Sequence, residues 1–392
     1  MKKAPLSRSI VVPRELSPYD RMLLEAVQKE GGFYNAHSHL DRADTLGDEY
    51  LRHIGITPTE ASGYSLRVKQ DMTGDLHRGL AYTPDDLEAR MIRVIQRQIS
   101  YGVTALDSCI DVTPGIEPDG LTAFRIASKL KQQFADQISI RLGPMPIFGF
   151  KEGSGRWEVF ESVASEADFF AALPEKDVFL DPRNRDGKIG FREHLIRVLE
   201  LGCRFGKEVH IHLDQANNPA ERGTETLIEG LRWIKQPHIP DHHGPTVWII
   251  HKISPSGYGE KRHGRLMDGL LEYNLGVKVC GSAALSMRQL RPIKGPTRNS
   301  VARVLELCKR KIPVQLGTDN ICDVYVPQSD GDMLTEIKIL GHAVRFAPPH
   351  IWAKLAAGVP LNEVDRDIIG RGLYQDLKVF KELDPNWEPA VG

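Results

Sequence analysis

The sequence predicts an α/β protein built as one (β/α)8 TIM barrel, and three observations predict it. Short β-branched runs alternate with longer amphipathic stretches from residue 33 to about residue 346, the order of a parallel sheet whose strands are linked by helices. Nearly the same motif occurs twice, "HSHLD" at 37–41 and "HIHLD" at 210–214. His39 and His212 are 173 residues apart, about 43 per unit over four βα units, which suits a barrel of roughly 250 residues plus insertions. The two motifs then end strands 1 and 5 and face each other across one barrel mouth. Their flanking residues do not match, so a tandem repeat is not expected.

Strands are expected at 33–39, 102–109, 138–147, 177–181, 207–213, 246–251, 276–281 and 313–319. Each run is short, β-branched or apolar, and bounded by turn residues. The helix after strand 1 is expected at 84–100, with Pro84 at its start and Gly102 beyond its end, the usual asymmetry of helix termini. Further amphipathic helices are expected at 120–136, 155–172, 191–205, 221–235, 261–273, 298–311 and 331–346. Two stretches stand outside this pattern. Residues 42–83, rich in Gly, Thr, Asp and Tyr, form a long connection on the face where barrel enzymes bind substrate, the position of a lid. Residues 347–392 are expected to add one or two capping helices. The whole chain is thus one domain, with an N-terminal extension over 1–32, a core over 33–346 and a C-terminal helical cap.

Composition sets the class of partner. The 392 residues carry 51 basic and 52 acidic side chains, a net charge of −1, with 41% hydrophobic residues. No global field favours nucleic acid or an anionic membrane. Five scattered cysteines (109, 203, 280, 308 and 322) form no CxxC pair, which suits reduced thiols rather than a disulfide framework. No apolar run precedes Pro13, so a signal peptide is not expected, and no window of 18 uncharged apolar residues occurs. The expected location is the cytoplasm.

Two histidines flanking one residue of a strand point to the same side and can offer two imidazoles to one metal. His37 and His39 end strand 1, His212 ends strand 5, His251 ends strand 6 and Asp319 ends strand 8. A lone histidine at a strand end is more often a hydrogen-bonded structural residue. Five such residues at the carboxyl ends of strands, the active face of barrel enzymes, point to chemistry.

The set "NAHSHLD", "HIHLDQ", "IIHKIS" and "LGTDN" resembles the amidohydrolase superfamily, and within it the cytosine deaminase-like branch. "YTPDDLEARMIRVIQRQISYGVTALDSCIDV" and "LGTDNICDVYVPQSDGDML" are similar to that branch in order and spacing, so the likeness spans residues 33 to 346. The resemblance implies a metal held by His37, His39, His212 and Asp319. It makes Asp319 also the group that handles protons, and His251 the group that polarises the attacked centre. Three neutral imidazoles and a carboxylate suit Zn²⁺ or Fe²⁺ with a position left for water. The substrate implied is a small nitrogen heterocycle, hydrolysed at a C–N bond.

Two departures qualify this. Deaminases of the branch carry a glutamate three residues after the strand 5 histidine, where this chain has Gln215. An amide hydrogen-bonds a ring atom but cannot deliver a proton as a carboxylic acid does, and neighbouring Asp214 substitutes only if the turn permits. Cleavage of a cyclic amide, imide or urea is therefore expected alongside deamination. "PMPIFGFK" on strand 3 lacks the substrate-reading glutamine of cytosine deaminases, so cytosine itself is not the expected substrate. Asn320 and Asp323 are candidates for reading substrate polar groups, with loop capping as the competing role.

One metal per chain is expected. The end of strand 4, "VFLDPRN", lacks the lysine of two-metal relatives, and Lys151 is the nearest substitute. His238, His242 and His243 precede strand 6, at the wrong face, and are read as a solvated loop. His210 lies one layer below His212 and is read as core. "GYGEKRHGR", after strand 6, offers basic residues to an anionic substrate group. The competing class is a catalytically silent barrel that binds a ligand or joins an assembly, with Gln215 marking lost chemistry. Expected partners are a small heterocyclic substrate and, if the barrel assembles, further copies of itself.

Overall fold

The computed structural model describes residues 16–179, 186–286 and 301–383. Among the described residues, eight parallel strands run in chain order: β1 Phe33–Ser38, β2 Val103–Asp111, β3 Ser139–Met145, β4 Phe169–Ala172, β5 Glu208–Leu213, β6 Val247–His251, β7 Gly276–Val279 and β8 Val314–Leu316. Continuous ladders join β1 to β3 and β4 to β8. Backbone hydrogen bonds cross the two seams between these arcs. Asp168 N donates to Leu142 O at 2.8 Å between β3 and β4, and Asp319 N donates to His37 O at 2.9 Å between β8 and β1. Asn35 secures the second seam. Its amide donates to Thr318 Oγ1 at 2.9 Å and its carbonyl accepts from Thr318 N at 3.0 Å. Gly317 is required there, because a Cβ would lie 2.7 Å from the His37 backbone nitrogen and oxygen.

Local sequence explains most helices. Pro84–Ser100 has proline at its start, Asp85 and Asp86 in its first turn, and buries Leu87, Met91, Val94 and Ile95 along one face. Phe191–Phe205 ends on Gly206 in the left-handed region at φ 59°. Arg90, fully buried, donates to Asp41 O at 2.9 Å and Ala43 O at 2.6 Å, fixing the backbone just past β1.

One strand falls elsewhere than expected. β4 is Phe169–Ala172, and residues 174–177 form a 3-10 turn where a strand over 177–181 was expected. The expected helix 155–172 stops at Ser162. All four β4 residues are buried, and a short apolar run covered on both faces carries no period that separates strand from helix. Residues 180–181 of that expected strand lie outside the described residues, as do 298–300 of the expected helix 298–311, residues 1–15 and residues 384–392.

The long connection is helical, with segments at Asp48–Leu51, Pro58–Gly63 and Leu66–His77. The tail supplies two helices, Pro349–Ala356 and Glu363–Leu383. The first packs on the helix Pro18–Lys29, where Tyr19 OH donates to Ala347 O at 2.9 Å. No helix among the described residues is long and apolar enough to cross a membrane.

Candidate metal centre and active site

The five strand-end residues converge. His37 Nε2 lies 3.2 Å from His212 Nε2 and 3.2 Å from Asp319 Oδ1, and His39 Nε2 is also 3.2 Å from Asp319 Oδ1. His251 Nε2 stands farther off, 3.8 Å from Asp319 Oδ2. All five side chains are buried. His251 at φ 77° and Asp319 at φ 59° hold left-handed backbone conformations, which cost non-glycine residues energy and recur at functional sites. The turn at each strand end thereby aims its side chain over the barrel mouth.

The donor set fits a metal ion. Ligand atoms about 2.0–2.1 Å from a tetrahedral Zn²⁺ stand roughly 3.3 Å apart, the spacing found here. Ligand atoms of His37, His39 and His212 lie within 4.8 Å of one another, as do those of His37, His251 and Asp319. His212 Nδ1 donates to Ala172 O at 3.3 Å, which turns the Nε2 lone pair inward. Asp319 Oδ1 has two imidazole nitrogens near it and no donor aligned on it. Burial keeps the His39, His212 and His251 rings neutral. It drives His39 down to about 3, with the Arg42 charge adding to the effect, and His251 down to about 4. His212 is held well below the ordinary imidazole value by burial and its histidine neighbours. Burial alone would raise Asp319, but His251, His37 and His39 together hold it well below the carboxylate range.

Above the centre lies a cavity of about 30 Å³, lined by Arg42, Gln70, Leu173, Gln215, His251 and Asn320 among others. An outer chamber of about 430 Å³ shares Leu66, Gln70, Leu173 and Gln215 with it. Leu66 and Gln70 belong to the helical connection, so this segment roofs the site.

The other expected site residues divide. Gln215 lines the cavity, and its Nε2 donates to Glu175 Oε2 at 3.3 Å. Asp214 does not face the centre. At φ 55° its carboxylate turns away and accepts Gly223 N at 2.7 Å and Thr224 N at 3.0 Å. Asn320 lines the cavity, whereas Asp323 binds the Asn320 amide and accepts Tyr325 N at 2.8 Å and Val326 N at 3.0 Å. Asp323 thus acts in the loop, and burial pushes it up to about 6. Lys151 pairs with Asp186 at 3.4 Å on the outer chamber, away from the centre. His242 and His243 sit at the opposite face, and His210 is buried against Glu208 at 3.1 Å. In the segment after β6, Arg262 pairs with Glu225 at 2.6 Å.

Two residues at the site had no signal in the sequence. Arg42, buried, donates to His39 Nδ1, stands 3.6 Å from Asp111 and lies over the Tyr325 ring. Glu175, on the 3-10 turn after β4, accepts Asp214 N and the Gln215 amide, and burial, together with Glu221 and Asp214, pushes it well above the ordinary glutamate value. Placing the fourth strand at 177–181 hid Glu175. Arg42 immediately follows "HSHLD" and was legible only as a neighbour of it.

The barrel, with this cluster at the carboxyl ends of its strands, shares its fold with solved structures of two deaminases and an aminohydrolase. The chain is similar to 5-methylcytosine deaminase from Klebsiella pneumoniae liganded with 5-fluorocytosine, at 22% identity over 87% of this chain and 81% of that one, TM-score 0.66. It is similar to N-isopropylammelide isopropylaminohydrolase from Burkholderia multivorans, at 16% identity over 88% and 75%, TM-score 0.59. Guanine deaminase from C. acetobutylicum aligns at 11% identity over 86% and 73%, TM-score 0.53. No family model matches the chain. More particularly, the chain belongs to one family with an uncharacterized protein of Haemophilus influenzae, to which it is 30% identical over 206 residues, 52% of this chain and 67% of that one.

Proposed function

We propose that this protein is a cytoplasmic hydrolase that uses one Zn²⁺ or Fe²⁺ per chain to cleave a C–N bond of a small nitrogen heterocycle. The observation that carries the reading is the set of 3.2 Å separations among His37, His39, His212 and Asp319 at the buried barrel mouth. The deaminases and the aminohydrolase that share the fold support it. Bound by these four residues, the ion would lower the pKa of a coordinated water to about 7. Asp319 accepts a proton from the attacking water on Oδ2, the oxygen turned from His37 and His39, and passes it to the leaving nitrogen. His251, 3.8 Å from that oxygen, hydrogen-bonds the substrate atom on which negative charge develops. Arg42 holds the His39 ring from behind. Asn320, gripped by Asp323, reads a substrate polar group, and the 66–77 helix shields the centre from water.

Gln215 shifts the balance within this class. Its NH₂ is engaged by Glu175, which leaves the amide oxygen to accept a hydrogen bond from the substrate. An oxygen acceptor suits the N–H of a cyclic amide, imide or urea better than an unprotonated ring nitrogen. A hydrolysis screen of metal-loaded protein over triazine, pyrimidine, pterin and hydantoin-like compounds tests the proposal. Ring opening or ammonia release that disappears in Asp319→Asn supports it. Metal binding without turnover on any of these rings would favour a silent barrel instead.

A further inference from the structure

We infer that the outer chamber binds an oxyanion, a carboxylate or phosphate, carried as a side arm on the heterocycle. This rests on the reading of the strand-end cluster as a hydrolase centre and adds the kind of substrate that centre takes. The inner cavity of about 30 Å³ is far below the roughly 300–1,000 Å³ of small-molecule pockets, so a substrate at the centre extends beyond it. The outer chamber supplies about 430 Å³ and shares the walls Leu66, Gln70, Leu173 and Gln215.

The charges of the chamber wall select the arm. Lys176 pairs with Asp71 at 2.8 Å and Lys151 with Asp186 at 3.4 Å. Arg67, Arg156 and Lys188 line the same space without a carboxylate partner among the described residues. Lys188 donates to Lys176 O at 2.9 Å. Arg156 donates to Phe148 O at 3.0 Å and lies 5.5 Å from the Phe148 ring centroid. Carbonyls and a ring face orient these cations but leave their charge uncancelled. The remaining carboxyl groups of the wall are turned to protein donors. Glu221 accepts Ala216 N at 3.1 Å and the Ser254 hydroxyl, and Glu175 accepts Asp214 N and the Gln215 amide. Burial raises both above the ordinary glutamate value. Even with every carboxyl group ionised, five cations face four anions among the described lining residues.

Two of these cations are already strained by their surroundings. Burial lowers Lys176 below the ordinary ammonium value, and the Lys188 and Arg67 charges add to that against the pull of Asp71. Burial likewise lowers Arg156, with Asp177 only partly offsetting it. A charge drawn out of water without a counter-charge is costly, and an oxyanion entering the chamber removes that cost. Lys176 Nζ also donates to Gln70 Oε1 at 3.4 Å. The cationic group thus abuts the wall shared with the inner cavity, one side chain from the place of the ring.

The test titrates full-length, metal-loaded protein by calorimetry. Uracil-1-acetate and uracil-1-methylphosphonate are each compared with neutral uracil-1-acetamide, and hydantoin-5-acetate with hydantoin-5-acetamide. Expected is at least one oxyanion that binds about tenfold or more tighter than its amide, the tighter arm naming the group. That advantage falls about fivefold or more in Lys188→Gln and in Arg156→Gln, and shrinks as sodium chloride rises from about 0.05 to 0.5 M. Lys129→Gln, on the helix Thr122–Gln133 and paired with Glu88, leaves it unchanged. Thermal melting confirms that each variant is folded. Equal affinity for oxyanion and amide on both rings, no binding up to about 10 mM, or an advantage indifferent to both chamber variants overturns the inference. Hydrolysis of unsubstituted rings needs none of these cations, so the reading of the centre stands or falls separately in its own screen.

Discussion

Replacing Gln215 by glutamate places a carboxylate where the amide now donates to Glu175 at 3.3 Å. Two ionised carboxylates at that separation repel by about 5 kcal/mol at an effective dielectric constant of about 20. An ordinary glutamate takes up a proton at pH 7 for about 3.7 kcal/mol. Repulsion is the larger quantity, so the pair keeps one shared proton at neutral pH, and its titration belongs to the pair rather than to either residue. Glu175 already leans that way, because burial raises it in the native protein. A carboxylic acid would then face the cavity above the metal centre. General acid catalysis is worth about 10² to 10⁴ in rate, roughly 3 to 5 kcal/mol. If the native reaction is amide-type, Gln215→Glu leaves native turnover unimproved or lower and introduces weak deamination of the aminated analogue. The folded state of the variant binds a proton that the unfolded chain releases near pH 4.3. The stability this proton confers is therefore present at low pH and lost as pH rises through the raised folded value. Assays of native protein and variant on both substrates from about pH 5 to 9, with urea unfolding at the same pH values, check both consequences. A rise of about 10² or more in native turnover would refute the amide-type reading, because the reaction would then have wanted a proton shuttle at this position.

Elemental analysis should find about one transition metal per purified chain, with His39→Ala or His212→Ala removing most of it; a ratio near two with a modified lysine in the mass spectrum would contradict the single-ion reading. Hydrogen exchange over Leu66–His77 should slow when a substrate analogue saturates the site, and unchanged exchange would remove its role as a roof. Gly317→Ala, whose new Cβ would press within 2.7 Å of the His37 backbone, should lower the melting temperature by several degrees and weaken metal binding at least about tenfold. Gly264→Ala, with nothing within 4 Å of the added carbon on the helix Glu260–Glu272, should leave both unchanged or slightly improved.

The cluster of strand-end residues was legible in the sequence for a geometric reason, and the rest of the candidate site was hidden for one as well. His37, His39, His212, His251 and Asp319 each end a strand, and in a parallel barrel every strand end points to the same mouth, so counting strands is enough to bring them together. β4 at 169–172 instead of the expected 177–181 leaves the number of units and the half-barrel between β1 and β5 unchanged. Glu175 belongs to the turn after β4 and reaches Gln215 only because the strand ends at Ala172, a position that its apolar, aperiodic run does not reveal. Arg42 and Arg90 were hidden differently. Each is a charged residue that local patterning assigns to solvent, yet both are buried. Arg90 is bound to backbone carbonyls of the chain just past β1, and Arg42 braces His39 and faces Asp111. The carbonyls of Asp41 and Ala43 for Arg90, and Asp111 for Arg42, lie too far along the chain to leave a trace in a window of ten or twenty residues. The opposite, amino-terminal mouth of the barrel, where a cavity of about 460 Å³ opens, is the extreme case. Trp248 and Gln315 look in sequence like ordinary inward strand residues, and only the linker 358–361, more than forty residues beyond the last strand, encloses the space they border. Ligand atoms at strand ends follow from periodicity and topology, whereas side chains that orient those atoms, or that line a cavity closed by a distant segment, follow only from packing.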